Sequence, residues 1–517
     1  MTLMGALKEQ LNDEKQQTEN GAIGYRTSGR HLLDLNFAVG SMRNRGDERI
    51  LREYKKAYYE QPLLAVKWLF YLRDIRGIGM GERHVFQICM HWLMEDHFEE
   101  VSGIIGLIPE YGRFDDWLAL LDTKAKDIII SKIMYQLEQD LQAMREERPA
   151  SLLAKWLPSC NTSSASTRKL GKIVCQSLGF TERTYRKILA SLRAYIDVVE
   201  VKMSSESWGD IDYSKVPSRA NLIYGSAFLH RDEVRRRAFL DKLTRGEAKI
   251  NADTLFPSDI VAKYYQQPRF AWGYGKLAEK DETLEGLWKA LPDYVKGDAF
   301  TLVVRDGSGS MQVSVGNTKV TALNVSTALA IYFAEHARGE FHNQFITFSS
   351  RPEMINLSEA KSLRDKIDIC ETYRDCTNTN LQDVFELILY TAVDHHLSQE
   401  ELPDNILIIS DMEFDRAIYK PSGEYGKASN VYTQSLMAVI QNKYAFYGYE
   451  MPRLVFWNVC SRTNTIPIQQ SRAGVALVSG FNPAVYNMVL SNETDPYQCL
   501  LKQINDKRYE AVEKALE

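Results

Sequence analysis

The spacing of apolar residues changes character once along the chain. Between residues 21 and 298, stretches such as DERILREYKKAYYE (47–60), PLLAVKWLFYLRDIR (62–76), GERHVFQICMHWLMEDH (81–97) and KAKDIIISKIMYQLEQDLQAMREE (124–147) repeat apolar side chains at helical spacing. Short breaks at Gly or Pro separate them, and β-branched runs are few. Each stretch predicts an amphipathic helix. Many consecutive helices on short turns predict an α-solenoid or helical-repeat array, with a plain helical bundle as the competing arrangement. The stretch shows no convincing fixed period of about 35–45 residues.

Beyond about residue 298, short apolar runs alternate with helical patterns. AFTLVVRDGSGSM (299–311), FHNQFITFSS (341–350), DNILIISDMEFD (404–415), RLVFWNVC (453–460) and GVALVSG (474–480) predict buried strands. VTALNVSTALAIYFAEHA (320–337), NLQDVFELILYTAVDHH (380–396) and VYTQSLMAVIQNKY (431–444) predict the helices between them. This alternation predicts a doubly wound, mostly parallel, Rossmann-like sheet, whose ligands bind at the carboxyl ends of the strands. The expected organisation is a polar N-terminal segment at 1–20, a helical domain at 21–297, and an α/β domain with terminal helices at 298–517.

Composition narrows the class. With 517 residues, 44% hydrophobic and 25% charged, the chain is long enough for two to four domains, each with its own core. Seven Cys without a CxxC pair read as reduced thiols, not a disulfide framework. The polar start MTLMGALKEQLNDEKQQTEN is no signal peptide, and the longest apolar stretch, 319–334, is interrupted by Lys319, Asn324 and Ser326. A soluble, cytoplasmic protein is expected.

The net charge of −5 conceals an asymmetry. Residues 151–250 hold 18 basic against 10 acidic side chains, and within 168–193 Arg168, Lys169, Lys172, Arg183, Arg186, Lys187 and Arg193 face one acid, Glu182. In TERTYRKILASLRAYI, Arg183, Arg186, Lys187 and Arg193 share one helical face, while Ile188, Leu192 and Ile196 share another. The bland reading is a solvated face. The functional reading is a surface that neutralises the phosphates of RNA. Arg235, Arg236 and Arg237 form a second cluster, with Asp232 and Glu233 as ready intrahelical partners, and NTSSAST (161–167) offers hydroxyls or simply an exposed loop.

The most specific chemistry lies at the predicted strand ends. In RDGSGSM, Asp306, Ser308 and Ser310 alternate with glycines, which lets one carboxylate and two hydroxyls converge. SDMEFD places Asp411 at a second strand end, and TNTNLQD (377–383) brings Thr377 and Thr379 before a helix. Carboxylate and hydroxyl oxygens with water make a hard, octahedral shell suited to Mg²⁺. The competing reading is an ordinary Gly/Ser turn. No Ser-His-Asp triad, Walker loop or separate nuclease carboxylate cluster is present. His84, His91, His395, His396, Cys160 and Cys175 lack ligand spacing and read as structural, so no enzyme is expected.

The strand-end arrangement resembles the metal-ion-dependent adhesion site of von Willebrand factor A domains. By position, Asp306, Ser308 and Ser310 match its first motif, Thr379 its second with Thr377 as the alternative, and Asp411 its third. That resemblance implies a docking site whose metal keeps an open position for an acidic group from a protein partner. Upstream, ENGAIGYRTSGRHLLDLNFAVGSMRN (19–44), YLRDIRGIGMGERHVFQICMHWL (71–93), IPEYGRFDDWLALL (108–121) and GEAKINADTLFPSDIVAKYY (246–265) resemble the TROVE module of Ro-type RNA-binding proteins. KWLPS (155–159) and SDMEFD (410–415) are similar to strings in an uncharacterised branch of that family. The sequence departs at 78–81, where Ile-Gly-Met-Gly stands in place of a Gly-Lys-Gly string, so the basic residue that the resemblance implies for a local RNA contact is missing there.

The resemblance implies a HEAT-like helical ring closed by the A domain. It also implies a non-catalytic scaffold that binds small structured RNA and single-stranded RNA ends in RNA quality control or ribonucleoprotein assembly. The alternative is a protein–protein adaptor that uses the metal site, with the helical part as platform. A hydrolytic metal site is the third reading.

Overall fold

The computed structural model describes residues 15–265, 277–295, 299–316, 318–349, 352–373, 381–414, 433–467, 474–489 and 495–517. The chain divides into two compact units, one of residues 1–65 with 255–504, the other of residues 66–254 with 505–517. It therefore crosses between them three times.

The first unit opens with a small antiparallel hairpin, β1 (Lys15–Gln17) and β2 (Ile23–Tyr25). Its main sheet contains β3 (Thr301–Arg305), β4 (Gln344–Thr347), β5 (Met354–Asn356), β6 (Asn405–Ser410), β7 (Arg453–Asn458) and β8 (Val475–Ser479), in the order β5-β4-β3-β6-β7-β8. All neighbours are parallel except β4 and β5. Every residue of β3, β6 and β8 is buried, as a parallel sheet covered on both faces demands. The five expected strands are all present. The edge strand β5 was not foreseen, because three residues of exposed-buried-exposed character carry no usable period.

Helices cover this sheet. Ala322–His336 is buried on all sides from 322 to 334, and Thr321 caps it by accepting from the Asn324 amide while Asn324 reaches back. The upstream helices His31–Met42 and Pro257–Tyr264 also belong to this unit, packing on β8 and on Ala322–His336. Close approach of His31–Met42 needs Gly40: a Cβ there would lie 2.7 Å from the Asn458 carbonyl oxygen, and the Gly40 amide donates to Ser479 Oγ at 2.8 Å. Glu285, in the first turn of the short helix Glu282–Lys289, closes another joint by accepting from the amides of Leu363 and Arg364 at 2.8 and 3.2 Å.

The second unit is helical. Its longer helices are His84–Asp96, Lys126–Arg145, Ala165–Ser177, Glu182–Tyr195, Ser218–Arg231 and Glu233–Thr244. At its centre is a buried ion network. Asp116 accepts from Arg73 Nε at 2.9 Å, Arg83 Nε at 2.9 Å, Gln87 Nε2 at 3.2 Å and the Arg113 amide at 3.0 Å. Asp74, also fully buried, accepts from Arg508 Nη2 at 2.7 Å and the Tyr509 hydroxyl at 3.1 Å, while Lys67 Nζ meets Glu513 Oε2 at 2.8 Å. The chain's last residues, 505–517, are thereby locked into this unit. The architecture is helical plus α/β with a largely parallel sheet. No helix of the described residues is long and apolar enough to cross a membrane.

Candidate functional site

β3 and β6 run side by side with Arg305 opposite Ile409, so Asp306 and Asp411 leave the sheet together at its carboxyl edge. Here the strand order turns from β4 and β5 on one side to β6, β7 and β8 on the other, the place where such sheets leave a crevice. The Asp306 amide donates to the Ile409 carbonyl at 3.0 Å, which continues the ladder one step past the strand.

Both carboxylates are buried, Asp306 at 0% and Asp411 at 1% exposure. Asp306 Oδ1 accepts from the Ser308 amide at 2.9 Å, and Oδ2 accepts from Ser410 Oγ at 2.5 Å. Ser308 and Ser310 hydroxyls lie 2.9 Å apart in the loop that follows. Asp411 Oδ1 accepts from the Glu413 amide at 3.2 Å. Burial raises the Asp306 carboxyl above the usual carboxylate range, against the pull of the Ser410 and Ser308 hydrogen bonds. Burial, and then the Asp306 charge beside it, push the Asp411 carboxyl up to about 7.

Two buried carboxylates at one strand edge resist ionising together, and a divalent cation between them would offset the repulsion and the desolvation cost. Among the described residues no three His, Cys, Asp or Glu side chains gather at one point. A metal here would draw on two carboxylates supplemented by Ser308 and Ser310, an all-oxygen set that fits a hard cation. Thr377 and Thr379 lie outside the described residues.

Residues that sequence reasoning missed surround this pair. Glu413, 2% exposed, gathers the amides of Arg462 and Thr463 on Oε1 at 2.8 and 2.9 Å, and the Glu19 amide on Oε2 at 2.8 Å. Asn20 Nδ2 donates to the Glu413 carbonyl at 2.7 Å, and Thr18 Oγ1 to that of Phe414 at 2.7 Å. Met412, between the two acids, holds φ +62°, so Asp411 and Glu413 serve different neighbours. The alternating acids of SDMEFD were the available signal for Glu413. Nothing in the sequence pointed to its N-terminal partner.

In the second unit, the basic stripe divides. Arg168, Lys169 and Lys172 on Ala165–Ser177, and Arg183, Arg186 and Lys187 on Glu182–Tyr195, are all exposed. Lys172 Nζ lies 3.5 Å from Glu182, and Arg168 Nη1 donates to the Thr162 carbonyl at 2.9 Å. Lys169, Arg183, Arg186 and Lys187 pair with no carboxylate among the described residues. Arg193 turns inward instead. Its guanidinium donates to the Ala154 carbonyl at 2.8 Å, Ser159 Oγ at 2.8 Å and the Leu157 carbonyl at 2.6 Å.

The same KWLPS loop braces both helices. Tyr185 donates to the Pro158 carbonyl at 3.1 Å, and a Cβ on Gly171 would come within 2.8 Å of the Ser159 carbonyl. Cys160 and Cys175 are buried beside it, and burial, then the neighbouring Cys160, push the Cys175 thiol up to about 11. The Cys175 thiol therefore stays protonated at neutral pH. In NTSSAST, Ser164 is the N-cap of Ala165–Ser177, accepting from the Thr167 amide. The second cluster is engaged within the protein: Arg235 pairs with Asp232 at 2.9 Å, Arg237 with Glu233 at 2.8 Å, and Arg236 is fully buried against Tyr213, Phe228 and Phe239.

The whole chain is similar to the uncharacterized protein L728 of Acanthamoeba polyphaga mimivirus, at 27% identity over 94% of this chain and 86% of that protein. Among solved structures it matches the crystal structure of the Deinococcus radiodurans Ro (RSR) protein at 12% identity over 88% of this chain and 90% of that one. The TM-score of that match is 0.33, too low to transfer any residue's role. Residues 18–101 and 129–299 match the family model described as a domain of unknown function, DUF2828, and residues 301–515 match a second, DUF7788.

Proposed function

We propose that this protein is a non-catalytic RNA-binding scaffold of Ro type, which holds single-stranded RNA by its phosphates on the helices Ala165–Ser177 and Glu182–Tyr195. One observation carries the reading. Six exposed cations stand on two adjacent helices braced by a single buried loop, and their one nearby acid is engaged by one of them. A stable surface would more cheaply intersperse acids among so many like charges; a phosphate chain supplies the missing counter-charge from outside. The Ro-like strings at 19–44, 71–93, 108–121 and 246–265 support the same class. Small structured RNA as a further ligand, a cytoplasmic location, and a role in RNA quality control or ribonucleoprotein assembly follow from that resemblance.

Mg²⁺ at Asp306, Ser308, Ser310 and Asp411 belongs to the same proposal, with Thr379 or Thr377 as the threonine ligand. When bound, the metal would supply a hard Lewis-acid centre that attracts an acidic group. The buried carboxylate pair favours a second reading, a protein–protein adaptor that docks a partner carboxylate there. Crosslinking the full-length protein to RNA in its native cell, then mapping the crosslinked peptides, separates the two. Crosslinks concentrated in 165–195 support the scaffold. Recovery of no RNA above background sinks it and leaves the adaptor.

A further inference from the structure

We propose that Arg462 is a built-in cation that competes with a divalent ion for Asp411, and that it relays occupancy of the strand-end site to the N-terminal hairpin. The inference rests on the metal reading above. Arg462 Nη2 stands 3.4 Å from Asp411 Oδ2 and 2.9 Å from Glu19 Oε2, so one guanidinium nitrogen is shared between a buried candidate ligand and the hairpin turn.

The two contacts are unequal. Charge-assisted hydrogen bonds ordinarily close to about 2.7–2.9 Å, so the Glu19 contact is fully formed and the Asp411 contact is loose. Arg462 Nε is buried and has no hydrogen-bond partner among the described residues, so the guanidinium is not locked on its inner side. The backbone beneath it is fixed, by contrast. The Arg462 amide donates to Glu413 at 2.8 Å, and its carbonyl accepts from Arg45 Nη2. Movement is therefore confined to the side chain, which swings between Asp411 and Glu19.

A divalent ion between Asp306 and Asp411 neutralises the carboxylate that draws Arg462 inward and adds like charge beside the guanidinium. Arg462 then rests on Glu19 alone. Glu19 lies in the turn between β1 and β2, and its amide is already held by Glu413. Metal binding thus tightens the hairpin. Losing the arginine removes the cation that competes for Asp411 and so strengthens metal binding.

Mn²⁺ serves as the probe, titrated into the full chain and followed by electron paramagnetic resonance. Arg462→Gln should bind Mn²⁺ about tenfold more tightly than the native chain, the scale expected of one partly screened charge removed from the site. Glu19→Gln, which keeps the arginine but removes its resting place, should bind more weakly than the native chain. Hydrogen exchange at residues 15–25 should slow on adding Mn²⁺ to the native protein and stay unchanged in either variant. A native chain that binds no Mn²⁺, or binds it as well after Asp306→Ala, overturns both the site and the relay. Binding that depends on Asp306 but differs by less than about twofold in Arg462→Gln overturns the relay alone.

Discussion

Replacing Arg186 and Lys187 with Ala puts the RNA reading at risk most directly, because the geometry sets the expected number. Of the six exposed cations, Arg168 is partly spent on the Thr162 carbonyl and Lys172 lies beside Glu182. Lys169, Arg183, Arg186 and Lys187 remain, four charges available to a phosphate chain, with Arg186 making only a long 3.4 Å contact to the Glu182 carbonyl. On a single strand each neutralised phosphate contributes about −0.7 to the slope of log affinity against log salt, so four give a slope near −3. The double substitution removes two contacts and should flatten the slope by about 1.4. Fluorescence anisotropy of a labelled, unstructured RNA across about 50–200 mM salt reads this directly. Changing the base sequence should leave affinity nearly constant, since backbone contacts carry no sequence information.

Arg193 is the internal control. It belongs to the same run of cations, but its three hydrogen bonds to residues 154–159 leave little for RNA. Arg193→Ala should therefore lower the melting temperature and leave the salt slope of the folded protein alone. A slope unchanged by the Arg186 and Lys187 double substitution refutes the argument and returns the stripe to a solvated face.

Three further outcomes follow from the same geometry. Asp306→Ala should abolish stoichiometric Mn²⁺ binding, measured by calorimetry, because no neighbouring described carboxylate takes its place at the β3 end. Asp411→Asn should stabilise the metal-free protein at neutral pH by about 1–3 kcal/mol. The folded-state Asp411 carboxyl sits near 7, above the ordinary 3.8, so the unfolded chain releases its proton first and stability falls as pH rises from about 4 to 7. Melting curves in a chelator should therefore converge for native and Asp411→Asn at the acid end and separate towards pH 7; parallel curves refute the shift. Asp74→Ala should destabilise the helical unit by about 3–5 kcal/mol, since it strands Arg508 and frees the terminal residues. Urea unfolding checks this, and a loss under about 1 kcal/mol means that the clasp is a surface pair.

The sheet was legible because of its environment. β6 reads NILIIS and is buried throughout, and such a run has one reasonable fate in a chain that alternates with helices. The strand-end oxygens were legible for the same reason: once β3 and β6 are placed, Asp306 and Asp411 fall on one edge. The hairpin β1–β2 was not legible. KQQ and IGY show no apolar period, and the pair is held by Glu413, almost 400 residues away in sequence, which accepts the Glu19 amide across a separation of 394. Arg193 illustrates a different failure. A helical wheel puts it on the flank of the buried face formed by Tyr185, Leu189 and Leu192, and whether it points outward depends on the carbonyls of a loop that the wheel does not contain.

The strings that carry the family resemblance and the residues proposed to carry function are largely different residues. RDIRG and GRFDD supply Arg73, Asp74, Arg113, Asp115 and Asp116, which are consumed in buried or half-buried pairs. Breaking such a pair costs about 3–5 kcal/mol, a large fraction of a domain's stability. An exposed lysine with no partner costs within about 0.5 kcal/mol to replace. Folding therefore holds the first set in place whatever the surface binds, while no carboxylate holds Lys169, Arg183, Arg186 or Lys187 and Arg186 makes only a 3.4 Å contact to the Glu182 carbonyl. Likeness in those strings argues for a shared way of packing helices and supplies no phosphate contact of its own. A chain can keep RDIRG and GRFDD intact and lose every phosphate contact, so the exposed cations, not the signature strings, are where the functional claim stands or falls.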